Sequence, residues 1–116
     1  MNILRSINKG CFMAAVVTKK EVLDKISACS GKLHQFGIHT IGIFGSFSRD
    51  KANEQSDIDL LVEFDTDKKT FDNFIETCFL LEEVLGRKVE LVTEESLSPY
   101  LKPYIMKELE HVPLSG

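Results

Sequence analysis

The segment that most restricts the fold is residues 57–64, Asp-Ile-Asp-Leu-Leu-Val-Glu-Phe, in which apolar and acidic residues alternate. The alternation predicts a β-strand with one apolar face, formed by Ile58, Leu60, Val62 and Phe64. Asp57 and Asp59 fall on the opposite face, with Cα atoms about 6.5 Å apart. Two like charges this close repel each other, so the pattern predicts a counter-charge between them, such as a divalent metal ion.

The rest of the chain predicts helices that alternate with two further strands. In chain order we expect a helix over 18–36, a strand over 38–44, a short helix over 47–52, the strand over 57–64, a helix over 70–85, a strand over 88–92 and a final helix. The first helix opens with a capping box and is weakened by Gly31. The final helix begins at Ser98 or, if Pro103 delays it, one turn later. The last two helices are predicted to turn apolar stripes, which include Phe71 and Leu101, toward the core. This order predicts an α/β fold with a small mixed sheet flanked by about four helices.

Size and composition are those of a single globular domain, which we assign to residues 18–116, with residues 1–17 as a loosely ordered extension. The net charge of −4 argues against strong nucleic-acid binding. The apolar run at 11–17 is too short to span a membrane, so no membrane association is expected. The cysteines form no CxxC pair, which indicates a reducing cytoplasm, and Cys29 and Cys78 lie on helical stripes that predict core packing. The basic pairs at 68–69 and 87–88 are typical of solvated element ends.

A second motif, Gly45-Ser46, ends the first predicted strand. Glycine allows the backbone to approach phosphate groups closely, and the Ser46 hydroxyl donates hydrogen bonds to them. Arg49, one turn further on, carries a forked pair of donors that suits a triphosphate. Each element alone has an ordinary explanation as a turn, a solvated strand edge or a surface arginine. Their joint spacing favours a binding site for a nucleotide.

The motif at residues 45–49, followed by the strand at 56–64, resembles the signature of the DNA polymerase beta-like nucleotidyltransferase superfamily. The ten residues between Ser46 and Asp57 match the spacing of its minimal nucleotidyltransferase (MNT) group. The similarity extends from Thr18 to Val112 and implies a nucleotidyltransferase-like fold. It includes residues 86–92, where the family has a strand that bears a third carboxylate. The residue at that place is Glu90, where the family usually has aspartate.

The resemblance implies a role for each of these side chains. The implied catalytic and metal-binding residues are Asp57, Asp59 and Glu90, with Mg²⁺ as the ion and Mn²⁺ as the alternative. The implied nucleotide-binding residues are Gly45, Ser46 and Arg49. In this family the third carboxylate accepts the proton of the attacking hydroxyl. Glutamate extends it by roughly 1.3–1.5 Å. Because transfer chemistry is sensitive to displacements of about 1 Å, a reduced activity is one expectation, and an exposed Glu90 without a catalytic role is another.

The resemblance also implies a function. It predicts transfer of a nucleoside monophosphate, with ATP as the expected donor, and release of pyrophosphate. Proteins of this group resemble the antitoxins of two-gene toxin–antitoxin pairs, which neutralise a HEPN ribonuclease by adding AMP to a tyrosine or by direct binding. A module that silences its partner by occlusion alone is one alternative. Transfer to a small molecule is another, and it would require a pocket completed in a homo- or hetero-oligomer.

Overall fold

The computed structural model describes residues 16–53 and 55–114. Its first helix, α1 (Lys19–Ala28), opens with the predicted capping box, in which the Thr18 hydroxyl accepts from the Glu21 amide and the Glu21 carboxylate accepts from the Thr18 amide. The predicted helix over 18–36 is interrupted at Cys29, where the backbone leaves helical geometry, and it resumes as α2 (Ser30–Gln35). Gly31, which has a low helix propensity, follows this break directly.

Within the described residues, four strands form one mixed sheet in the order β3-β2-β1-β4. They comprise β1 (Ile38–Phe44), β2 (Ile58–Phe64), β3 (Val89–Thr93) and β4 (Glu110–His111). β1 pairs antiparallel with both β2 and β4, whereas β2 and β3 are parallel. The α/β class and the mixed sheet are confirmed. The two-residue β4 was not predicted, because a strand this short carries no alternation of its own.

Three further helices connect the strands. They are α3 (Gly45–Ser48), α4 (Phe71–Leu85) and α5 (Lys102–Glu108), with single 3₁₀ turns at Thr66–Lys68 and Glu94–Ser96. The short helix predicted over 47–52 was placed too late, since α3 follows β1 directly and the chain turns at Asp50, whose φ is 55°. α4 ends at Gly86 in the left-handed conformation, as predicted. α5 begins at Lys102, so the later of the two predicted starts is the one observed, with Pro103 in its first turn.

The core lies between helices α1, α2 and α4 and the apolar face of the sheet. The β2 face predicted from the alternation is buried, with Ile58 and Leu60 at 0% exposure. Two predicted core residues are instead exposed: Phe71 at 76% and Leu101 at 56%. Phe71 is the first residue of α4 and Leu101 precedes α5, so both side chains lie beyond the part of each helix that packs.

The described chain is packed from its first residue, Val16, which is buried and whose amide donates to the Leu85 carbonyl at 3.0 Å. Val16 falls within the segment 1–17 that sequence analysis assigned to an extension, while residues 1–15 lie outside the described residues. Cys29 and Cys78 are half-buried and pack against the core, as predicted. Among the helices of the described residues, none has the length and apolar character that a membrane span requires.

Candidate active site

The acidic side of the site is built on two parallel strands. Asp59 in β2 pairs with Glu90 in β3, and paired strands lie about 4.8 Å apart. Laterally paired residues project to the same face of a sheet, so these two carboxylates lie next to each other on the face opposite the helical core. Asp57 precedes β2 by one residue and lies on the same side as Asp59, two positions along the chain. The sheet register thus brings Asp59 and Glu90 together.

The charges around Asp59 are strongly unbalanced. Burial is the largest cause that raises the pKa of Asp59, and the neighbouring carboxylates of Glu90, Asp57 and Glu108 raise it further, to about 6. The Arg49 guanidinium acts in the opposite direction and lowers this pKa. Asp59 is therefore repelled by three neighbouring carboxylates, and a cation bound beside it would relieve this repulsion.

The three predicted metal ligands do not form a closed cluster. Within residues 16–53 and 55–114, no group of three or more histidine, cysteine or acidic side chains is close enough to hold a metal ion. Asp57 and Glu90 are exposed, whereas Asp59 is half-buried. The donor set still suits Mg²⁺, because that ion accepts only oxygen, retains several waters and is commonly held by one or two carboxylates together with substrate phosphates.

Gly45 is the residue of the Gly-Ser segment that contacts the acidic strands. Its φ of 77° lies in the left-handed region, which favours glycine. A Cβ atom at this position would collide with the Asp59 carboxylate. Gly45 therefore allows the start of α3 to lie directly against Asp59. The structure brings the two sequence motifs into contact at this pair of residues.

A carboxylate that sequence analysis did not identify holds α3 in place. Glu108, the last residue of α5, accepts from the Gly45 amide at 2.8 Å and from Arg49 Nη1 at 2.7 Å. Its backbone carbonyl accepts from the Ser48 hydroxyl at 3.1 Å. These contacts join residues about 60 positions apart in sequence. No local pattern marks Glu108, which explains why the sequence analysis missed it.

A weaker sequence signal did exist at Gly42, in the middle of β1. A Cβ atom there would lie 2.8 Å from the Leu109 side chain, so this glycine leaves room for the chain between α5 and β4. Glycine inside a strand often marks such a close approach. Gly42 could therefore have indicated that another part of the chain packs closely on β1, which in the structure is the segment from Leu109 to His111.

Arg87 was predicted to be a solvated element end, and that prediction was wrong. Its guanidinium donates to the carbonyl of Val16 at 2.7 Å and to the carbonyls of Asn53 and Ser56, each at 3.1 Å. It also lies 5.2 Å from the ring centroid of Phe47 in α3. Arg87 thus holds the segment between the two motifs, because its many donors satisfy carbonyls that no sheet or helix pairs.

Comparisons with known proteins identify the family of the chain. Residues 23–112 match the family model of the nucleotidyltransferase domain. The protein adenylyltransferase MntA of Thermococcus cleftensis is 35% identical over 99 residues, which cover 84% of this chain and 99% of that protein. A solved minimal nucleotidyltransferase has a TM-score of 0.62 and 31% identity, covering 79% of this chain and 95% of the other. A toxin–antitoxin structure with AMP-PNP has a TM-score of 0.60 and 25% identity, over 80% and 73% of the two chains.

The fold and the paired motifs define an enzyme of nucleotidyl transfer. The chain belongs to the nucleotidyltransferase domain family, within which its relatives include minimal nucleotidyltransferases. The resemblance drawn from the two motifs is therefore confirmed, as is the expectation of a nucleotidyltransferase activity.

Proposed function

We propose that this nucleotidyltransferase moves AMP from ATP to a side-chain hydroxyl of a partner protein, and that it acts as the antitoxin of a HEPN toxin. The observation that carries the proposal is the contact between Gly45 and Asp59, which sets a phosphate-binding segment against paired carboxylates. A relative that is named a protein adenylyltransferase supports the acceptor class. A similar toxin–antitoxin structure with AMP-PNP supports both the nucleotide and the partner.

The site residues have distinct roles in this proposal. Asp57 and Asp59, with Glu90 beside them, would hold Mg²⁺ or Mn²⁺, which neutralises triphosphate charge and favours departure of the leaving group. The Ser46 hydroxyl donates to the β- and γ-phosphates, and the free donors of Arg49 reach the same oxygens. Gly45 contributes space rather than a donor, because Glu108 accepts its amide.

The transfer itself exchanges one phosphorus–oxygen bond for another. The acceptor oxygen forms a bond to the α-phosphorus while the bond from the α-phosphorus to the bridging oxygen of the β-phosphate breaks. AMP then remains on the acceptor and pyrophosphate leaves. The Glu90 carboxylate, exposed beside Asp59, accepts the proton of the attacking hydroxyl.

The open face of the sheet supports a macromolecular acceptor. The residues that line a groove of about 650 Å³ include Leu61, Glu63, Thr93, Lys102 and Met106, and none of the six predicted site residues is among them. It lies on the same face as the carboxylates, because Leu61 and Asp59 are two positions apart on one strand. An extended segment of a partner protein bound in this groove would lie beside the strand that carries Asp59.

The test combines radiolabelled ATP, Mg²⁺ and the purified partner toxin. We expect the wild-type protein to label the toxin, and the double variant Asp57→Asn with Asp59→Asn to lose this labelling. Asp24→Asn is the control, since Asp24 is an exposed acid on α1, on the helical side of the sheet, and should leave labelling unchanged. Labelling that persists in the double variant contradicts the proposal.

Occlusion without catalysis is a second candidate. Glu90 in place of the family's aspartate favours it, and so does the open arrangement of the three carboxylates within the described residues. Inhibition of the toxin without any labelling would support this candidate. Label that appears on a small molecule would instead indicate a metabolite acceptor, and sedimentation would then show whether an oligomer completes its pocket.

A further inference from the structure

Glu108 belongs to neither sequence motif, yet it contacts the segment to which the proposed function assigns nucleotide binding. We propose that Glu108 is a positioning residue for the nucleotide: its carboxylate orients the Arg49 guanidinium and fixes the Gly45 turn, so that both meet the triphosphate in one geometry. This inference rests on the proposed role of Gly45, Ser46 and Arg49. It adds a third element, the end of α5, to the nucleotide site.

Each acceptor oxygen of Glu108 contacts a different residue of the segment 45–49. One carboxylate oxygen accepts from Arg49 Nη1 at 2.7 Å and the other accepts from the Gly45 amide at 2.8 Å. The backbone carbonyl accepts from the Ser48 hydroxyl at 3.1 Å. Three positions within five residues are thereby tied to one residue. Such a set restricts the orientation of the segment more than a single ion pair would.

The exposure of the pair favours positioning over stabilisation. The Arg49 side chain is 54% exposed and that of Glu108 is 27% exposed, and ion pairs this open add little to folding stability. The guanidinium has five N–H donors, and the contact with Glu108 uses Nη1 alone. The other donors remain for phosphate oxygens. Arg49 shares the Glu108 carboxylate with the Gly45 amide, and Gly45 lies directly against Asp59, which places this group of contacts beside the acidic strands.

The chain is anchored directly after Glu108. Leu109 packs over Gly42 of β1, and β4 then pairs with Gly42 and Ile43. The backbone that carries Glu108 is therefore fixed, and its carboxylate is held in turn by the Gly45 amide and by Arg49. This argues for a fixed support that stays in place in the nucleotide complex, rather than for an internal carboxylate that competes with the phosphates.

The test compares Glu108→Ala and Glu108→Gln with Glu110→Ala. Glu110 is the matched control, since it lies two residues further on, is exposed and pairs with Lys19 rather than with residues 45–49. We expect Glu108→Ala to raise both the KM for ATP and the Kd of AMP-PNP with Mg²⁺ about tenfold, the loss of one charge-assisted contact, while kcat changes less than about threefold. Glu108→Gln, which retains the shape and one acceptor oxygen, should show a smaller increase. Glu110→Ala should bind like the wild type.

A double variant tests whether Glu108 acts through Arg49. Arg49→Ala with Glu108→Ala should lose less affinity for AMP-PNP than the sum of the two single losses, because part of the effect of Glu108 is exerted through Arg49 and only the contact with the Gly45 turn is independent of it. Fully additive effects would overturn the inference, as would wild-type or tighter binding by Glu108→Ala. Glu108→Gln provides the comparison if the alanine variant does not fold. Failure of the wild-type protein itself to bind AMP-PNP with Mg²⁺ would instead overturn the proposed function.

Discussion

The two halves of the site are held in different ways. The strand half contains Asp57, Asp59 and Glu90, and the register of β2 and β3 places its carboxylates. The helix half, residues 45–49, depends on side chains from distant parts of the chain, chiefly Glu108 and Arg87. The strand half can thus be inferred from alternation and pairing rules, whereas the helix half requires contacts that only the folded chain supplies. Substitutions at the junction, in the supports and outside both halves test this contrast.

The largest effect is expected at the junction, from Gly45→Ala. The added Cβ would meet the Asp59 carboxylate, and alanine disfavours the φ of 77° at this position. We expect AMP transfer to fall about a hundredfold or more, since displacements near 1 Å cost that much. Stability should fall by about 1–2 kcal/mol from the left-handed conformation. Labelled-ATP transfer and urea unfolding measure the two effects, and a fully active variant would show that the halves are not in tight contact.

A smaller effect, on stability, is expected from Arg87→Ala. The substitution removes donors to the carbonyls of Asn53 and Ser56 and the contact with the Phe47 ring. We expect the free energy of unfolding to fall by about 2–3 kcal/mol, the loss of charged hydrogen bonds and a cation–π contact. Lys88→Ala, at the exposed neighbouring position, is the control in the same urea titration. Equal losses in the two variants would refute a special role for Arg87 in supporting the helix half.

The same contrast explains how far sequence reasoning reaches. The bounds of β1, the buried face of β2 and the Gly86 stop follow from local patterns, and the structure agrees with them. The proximity of Asp59 and Glu90 depends on pairing, which the family resemblance implied. The support by Glu108 and Arg87 could not be predicted, because an isolated glutamate or arginine reads as a surface residue until the opposing segment is known.

A pH titration sharpens the account of the strand half. The pKa of Asp59 is raised to about 6, so the folded protein holds this proton more tightly than the unfolded chain does. Its contribution to stability is therefore full below a pH of about 4 and is lost as the pH rises through about 6. Asp59→Asn, which does not titrate, should gain in Tm relative to the wild type over this interval in metal-free buffer. Gly31→Ala, which changes no titratable group, should keep a constant difference from the wild type, and a flat difference for Asp59→Asn would contradict the clustering of charge.

The smallest effect is expected from Gly31→Ala, which lies outside both halves. Gly31 is an exposed residue of α2, and a Cβ atom built there has no neighbour within 4 Å. Alanine should therefore raise the free energy of unfolding by about 0.5–1 kcal/mol through its better helix propensity. Transfer activity should not change, because added stability in α2 reaches neither the carboxylates nor the α3 segment. We therefore expect Gly31→Ala to gain stability with unchanged transfer, whereas Gly45→Ala loses both. That difference would show that the two halves depend on the local geometry at Gly45 and not on the overall stability of the protein. A change in activity with Gly31→Ala would mean that α2 influences the site through its packing on β1.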